Sequence, residues 1–240
     1  MGKWKKWLSA GLFTAMLGTA IIAGPTADVS ANAGNKPYNI ENVSPDAHLA
    51  PSVGDSSSKT SSKAWHKIDG VCYNGSGKKV EGAITRGMDV SEWQGKINWK
   101  EAKKDLDFAF VRISYGTRHL DDYYAYNMTE AEAADVPVGT YVYSLAKTNK
   151  EALAEAQLAI RQMQGHKVSY PVAFDLEDEA TLGTLTRKEI SQIALTFCDE
   201  IRKAGYTPIL YMNLNWYNNF VDWNVLEGSG LDVWIASYGD

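Results

Sequence analysis

From residue 87 onward the apolar positions gather into six short runs, Met88–Val90, Phe108–Ser114, Val138–Ser144, Pro171–Leu176, Pro208–Met212 and Val233–Tyr238, separated by segments with helical spacing. Each run is apolar on both faces, as strands covered on both sides by helices must be. Helix starts are marked by Asn98 with Glu101, Thr148 with Glu151 and Thr186 with Glu189, a capping acceptor followed three residues later by Glu. Gly205 supplies a stop for the helix that begins near Arg187. Strand–helix alternation of this kind predicts an α/β chain with a parallel sheet, either open and doubly wound or closed into a barrel. A nucleotide-binding open sheet needs a glycine-rich turn after its first strand. Here that turn reads Asp89-Val90-Ser91-Glu92-Trp93-Gln94-Gly95, with acids and aromatics instead, which favours the barrel. A full eight-stranded barrel takes about 200 residues or more. The span 87–240 is therefore expected to form an irregular TIM-like β/α barrel, incomplete, with about six of eight strands.

The pattern changes upstream. Residues 63–86 place Trp65, Ile68, Val71, Tyr73, Val80 and Ile84 around Asn74-Gly75-Ser76-Gly77, which predicts a short β-hairpin extension turning at that tetrapeptide. A lone hairpin is marginal in water, so it should pack on the main domain. Residues 34–62 are rich in Asn, Pro, Asp, Ser and Gly and read as a disordered linker. Residues 1–33 carry Lys3, Lys5 and Lys6, then an apolar stretch from Leu8 to Ala23, then small-residue sites at Val29-Ser30-Ala31 and Ala31-Asn32-Ala33. That order describes a secretory signal peptide, to be excluded from the fold.

Charge and cysteine content narrow the function classes. The net charge is −5, and removal of Lys3, Lys5, Lys6 and Asp28, a net +2, leaves −7. Such a balance argues against nucleic acid, whose binding rests on neutralised phosphates. Cys72 and Cys198 are the two cysteines, and Cys198 falls on the apolar side of a predicted helix with Ile190, Ile193, Ala194, Phe197 and Ile201. A buried thiol is the expected state, with a Cys72–Cys198 bridge as the alternative. His48, His66, His119 and His166 show no ligand spacing, so no metal site is expected. No Gly-x-Ser-x-Gly turn is present either, which disfavours a serine hydrolase.

Acid chemistry is better supported. Asp175 and Glu177 lie two apart in Pro171-Val172-Ala173-Phe174-Asp175-Leu176-Glu177, so on a strand they face the same side. The C-terminal end of a parallel barrel strand is where such folds carry their sites. Two neighbouring acids resist joint ionisation, so one should keep a proton near neutral pH and serve as a general acid. Glycoside hydrolysis uses such a donor with a second carboxylate facing developing positive charge. Asp89 ends the first strand in the same way. Tyr115, Tyr141, Tyr143, Tyr211, Trp234 and Tyr238 crowd the same strand ends, where flat rings could support sugars.

Together these pieces resemble glycoside hydrolase family 25, the lysozymes that cut the β-1,4 bond between N-acetylmuramic acid and N-acetylglucosamine. The resemblance runs through Gly87-Met88-Asp89-Val90-Ser91-Glu92-Trp93-Gln94-Gly95, Phe108–Arg112, Val138–Ser144, the Phe174–Glu177 strand end, Ile209-Leu210-Tyr211 and Val233–Tyr238. It implies an irregular eight-stranded β/α barrel, no cofactor and net retention of anomeric configuration. Glu177 matches the catalytic acid, Asp175 the neighbour that holds the 2-acetamido group or the positive intermediate it forms, and Asp89 the first-strand acid. Tyr143, Tyr211, Trp234, Tyr238 and Tyr115 are the candidate substrate-binding residues. Where many members read Lys-x-Ser/Thr-Glu-Gly, this chain has Arg112-Ile113-Ser114-Tyr115-Gly116, with one acid fewer in the cleft. The family's last two strands, with a further aspartate, would follow Asp240. The expectation is a secreted, monomeric peptidoglycan hydrolase acting outside the cell or on the wall, with no stable membrane insertion after cleavage. Its rivals are an inactive wall-glycan-binding remnant and a hydrolase or deacetylase of other polysaccharides.

Overall fold

The computed structural model describes residues 66–74 and 77–236, together with the backbone of residues 6–10 and 18–23. The strands are β1 (Lys6–Ala10), β2 (Gly18–Ala23), β3 (His66–Ile68), β4 (Val71–Tyr73), β5 (Ala83–Val90), β6 (Phe108–Tyr115), β7 (His119–Leu120), β8 (Val138–Tyr143), β9 (Val168–Asp175), β10 (Pro208–Asn213) and β11 (Asp232–Ala236). The helices are α1 (Trp99–Ala102), α2 (Tyr124–Ala133), α3 (Asn149–Met163), α4 (Glu179–Leu182), α5 (Arg187–Lys203), α6 (Leu214–Asn219) and α7 (Trp223–Leu226). All six apolar runs are strands, and β5-β6-β8-β9-β10-β11 pair in that order, all parallel. This is the curled parallel sheet of a TIM-like barrel with six of its strands.

The gap between β11 and β5 is bridged by backbone from the N-terminal segment. β1 runs parallel to β11, from Lys6 opposite Val233 to Ser9 opposite Ala236, and antiparallel to β2. β2 runs antiparallel to β5, with Thr19 opposite Met88 and Gly18 opposite Asp89. These two strands come from the stretch read above as a leader. The pairing also explains why β5 begins at Ala83, upstream of the boundary expected at residue 87: its first half faces β2.

Alternation along each strand divides the core in two. Phe108, Phe110, Ala173, Ile209 and Trp234 point into the barrel with Tyr141, Tyr170 and Tyr211 packed against them. Ala109, Val111, Val172, Phe174, Leu210 and Val233 face outward onto the helices. Two glycines make room for the inner layer. A Cβ on Gly87 would lie 2.2 Å from the Phe108 ring, and one on Gly139 would lie 2.5 Å from the Pro171 carbonyl oxygen.

α5 shows how sequence becomes packing. Thr186 caps it through a full box with Glu189, and Ile190, Ile193, Ala194, Phe197, Cys198 and Ile201 form its buried stripe. Phe197 stacks on Phe174 of β9 with ring centroids 4.0 Å apart. Burial of one such side chain contributes roughly 1.5–3 kcal/mol. Cys198 and Cys72 are both buried free thiols. The caps at Asn98 and Thr148 hold as simple side-chain caps, each accepting from the backbone of its partner Glu.

The N-terminal hairpin is present, but its tight turn is Asp69-Gly70, between β3 and β4, with positive φ at both residues (49° and 80°). Asp-Gly is the preferred pair for that geometry. The turn that begins at Asn74 instead leads to a single bridge between Tyr73 and Lys79. Lys67 anchors the hairpin on the barrel by an ion pair to Asp107, 2.8 Å. The linker at residues 34–62 lies outside the described residues.

Candidate active site

Asp89, Asp175 and Tyr143 sit at the C-terminal ends of β5, β9 and β8, and Asn213 ends β10. Register brings them together, because Tyr143 is opposite Asp175 across β8–β9 and Tyr211 is opposite Asp175 across β9–β10. Glu177 lies two residues past the end of β9 rather than on it, yet it is 7% exposed and Asp175 is 6% exposed. The chain turns there because Asp178 caps α4, its side chain accepting from the Thr181 amide at 2.8 Å. Asp178 is buried too, so this stretch is a constructed loop, and only Glu179 opens to solvent.

Burial raises the pKa of all three acids. Desolvation is the main cause at Asp175, with the charge of Glu177 adding to it, while the Glu177 amide (3.3 Å from Oδ1) and Arg112 favour its ionised form. Glu177 is raised to about 7 by desolvation, against hydrogen bonds from the backbone and side chain of Asn213. Asp89 is raised to about 6, again by desolvation. The neighbouring acids Asp175 and Glu177 therefore titrate as a pair that keeps a proton toward neutral pH. Oε1 of Glu177 is buried and has no hydrogen-bond partner among the described residues.

The aromatic candidates divide. Tyr115 and Tyr143 stack, with centroids 4.8 Å apart, and the Tyr115 hydroxyl donates to Asp178 at 3.3 Å. Tyr115 is 38% exposed, so this pair forms an open wall beside the acids. Tyr211 meets Trp234 edge-on at 4.7 Å, and Trp234 also packs on Phe110. Trp234 is thus buried inside the barrel rather than presented to solvent. Tyr238 lies outside the described residues.

Several features escaped the sequence reading. Arg112 is buried in β6, its Nε donating to Asp121 at 2.9 Å and its Nη2 to Glu92 at 2.8 Å. Asp121 also accepts from the Glu92 amide at 2.8 Å, and His119 pairs with Glu92 at 2.9 Å. This network ties the turn after β5 to β6 and β7. A cation inside an otherwise apolar run was its one local signal. Ser91 and Gln94 form an unanticipated capping box that presents Trp93, 68% exposed. His166 contacts Glu132 at the end of α3, remote from the acids, and no group of three metal-ligating side chains occurs among the described residues.

Glu155 of α3 is a further buried acid. Its oxygens accept from the Leu145 amide at 2.9 Å and the Ser144 hydroxyl at 2.8 Å, which pins the chain just after β8. Desolvation raises it to about 7. Its folded pKa lies above the unfolded value, so the stability it lends is complete below about 4.3 and is lost as pH rises through the folded value. Gln at this position keeps an acceptor for Leu145 and carries no charge. Glu155→Gln is expected to raise stability by roughly 2 kcal/mol near pH 8 and change it little near pH 4. Thermal melts of variant and parent at both pH values check this; equal gains at both would remove the charge explanation.

The sequence matches the profile of "Glycosyl hydrolases family 25" over residues 88–240. Lysozyme M1 of Streptomyces globisporus is 26% identical over 164 residues, 64% of this chain and 55% of that protein. The uncharacterized protein YegX of Escherichia coli K12 is 26% identical over 166 residues, 63% of this chain and 56% of that protein. The chain thus spans about half the length of the curated relatives it matches. Among solved structures, the modular autolysin LytC of Streptococcus pneumoniae, in complex with a synthetic peptidoglycan ligand, superposes with a TM-score of 0.56 at 20% identity, covering 72% of this chain and 48% of that one. At that identity the likeness concerns the fold.

Proposed function

From the premise that the chain belongs to glycosyl hydrolase family 25, we propose that it is a peptidoglycan muramidase cutting the β-1,4 bond between N-acetylmuramic acid and N-acetylglucosamine. The observation that carries this reading is the buried Asp175–Glu177 pair at the C-terminal mouth of the barrel, with raised pKa values and one oxygen that has no hydrogen-bond partner among the described residues. Glu177 gives its proton to the leaving glycosidic oxygen, and the resulting carboxylate later takes one from water. Asp175 faces the 2-acetamido group or the cation it forms, where a negative charge counts most in the transition state. Asp89 adds negative potential from the first strand. The Tyr115–Tyr143 wall supports a sugar ring, and retention follows from participation of the acetamido group. Action on wall glycan places the enzyme outside the cell or on the wall. It works as a monomer, without a metal or cofactor.

The test is product analysis on purified peptidoglycan. A muramidase should generate new reducing ends carried by N-acetylmuramic acid, identified by borohydride reduction and mass spectrometry. Acetate release without new reducing ends would indicate a deacetylase, and co-sedimentation without either product would indicate a glycan-binding remnant.

A further inference from the structure

Tyr115 ends β6 and reaches across the neighbouring strand. Its backbone stands opposite Tyr143 of β8, and the Gly116 amide donates to the Tyr143 carbonyl at 2.8 Å. The two rings stack with centroids 4.8 Å apart, the spacing of neighbouring strands. Because β9 lies on the far side of β8, a side chain laid over Tyr143 arrives at the loop after β9. There the Tyr115 hydroxyl donates to Oδ2 of Asp178 at 3.3 Å, while Oδ1 of the same carboxylate accepts from the Thr181 amide at 2.8 Å. Asp178 is buried and directly follows Glu177, so both of its oxygens are engaged within the loop that carries the acid. On its other side that loop is held to β10, where the Leu176 amide donates to the Tyr211 carbonyl at 3.1 Å.

We propose that Tyr115 is a positioning residue of the general acid: its hydroxyl ties Asp178 to β6 and so fixes where Glu177 presents its carboxyl. The loop has an anchor on each side, Leu176 to β10 and Asp178 to β6, with Glu177 between them. Loss of the Tyr115 anchor leaves Glu177 at the end of a one-sided tether. A ring that served sugar contact alone would need no hydroxyl, and Phe would do as well. Burial and the charge of Asp178 raise the Tyr115 pKa above its ordinary value, so the donor keeps its proton through the neutral range. This assignment rests on the muramidase reading for its catalytic meaning, but the hold on the loop can be measured without it.

The test compares Tyr115→Phe, Asp178→Ser and the double variant with the parent in the full chain. Phe keeps the stack on Tyr143 and lacks the donor. Ser remains a good N-cap for α4 but is too short to reach Tyr115. The Glu177 amide, which donates to Asp175 Oδ1 at 3.3 Å, reports on the loop. Its hydrogen exchange, followed by NMR, should quicken roughly 10–100-fold in each single variant, the worth of a hydrogen bond to a charged group. Amides of α5 should exchange as in the parent. On peptidoglycan, kcat should fall roughly 10–100-fold with KM little changed, as misplacement of a reacting group does. The double variant should lose no more than either single one, because both remove the same contact. Phe carries the test alone if the Ser variant fails to fold. Unchanged exchange at Glu177 in the Phe variant overturns the proposal, even if activity falls. A raised KM with unchanged kcat overturns it as well, and makes Tyr115 a sugar contact. A parent that makes no new reducing ends defeats the muramidase reading instead, while exchange still decides whether Tyr115 holds the loop.

Discussion

Glu177→Gln is expected to reduce the release of reducing ends from peptidoglycan by at least roughly 10²–10⁴-fold, the usual worth of a general acid. Gln has nearly the same shape and removes only the proton that leaves. The fold should be untouched, because Glu177 is a buried acid whose charge is costly there: its pKa is raised to about 7 by desolvation. For the same reason the parent's rate should fall as pH rises through that value, when the proton is lost. Matched circular dichroism and a reducing-end assay across pH decide the matter. Equal rates for variant and parent would exclude Glu177 as the donor and leave Asp175, its coupled neighbour, as the acid.

The second large effect concerns the barrel's closure. Deletion of residues 1–33 removes β1 and β2, which pair with β11 and β5. Those two strands carry Trp234 and Asp89, so their newly open edges border the site itself. Each buried backbone group left unpaired costs about 1–3 kcal/mol, against a total domain stability of about 5–15 kcal/mol. Open apolar edges also invite association between copies. A 34–240 fragment is therefore expected to be poorly soluble or inactive beside the full chain expressed with its N-terminus retained. Soluble fraction, size-exclusion elution and lysis of wall suspensions are the measurements. A soluble, monomeric and fully lytic fragment would show that six parallel strands suffice.

Much of this protein could be read without its structure, and the reason is locality. The six strands announce themselves because each is a short apolar run whose neighbours in sequence are helices, and α5 because Thr186, Glu189 and the Ile190–Ile201 stripe all lie within five turns. The acids were legible because Asp175 follows buried residues and Glu177 follows it by two, a spacing that keeps them together even though Glu177 falls beyond the strand.

What only the tertiary structure decided are the contacts between distant segments. Arg112 could be seen as a cation in an apolar run, but its partners Glu92 and Asp121 come from two other loops. The aromatic beside Asp175 depends on β10 lying next to β9, whose register sets Tyr211 opposite that acid. Trp234 looks like a sugar platform by position along its strand, yet barrel curvature turns it inward onto Phe110. The N-terminal apolar stretch reads as a leader from its own residues, while its pairing with β11 and β5 is set by edges some 60 to more than 200 residues away. Residue type and spacing determine which groups are acidic, apolar or capping. Which of them meet is a property of the closed sheet, whose curvature and register belong to all its strands at once.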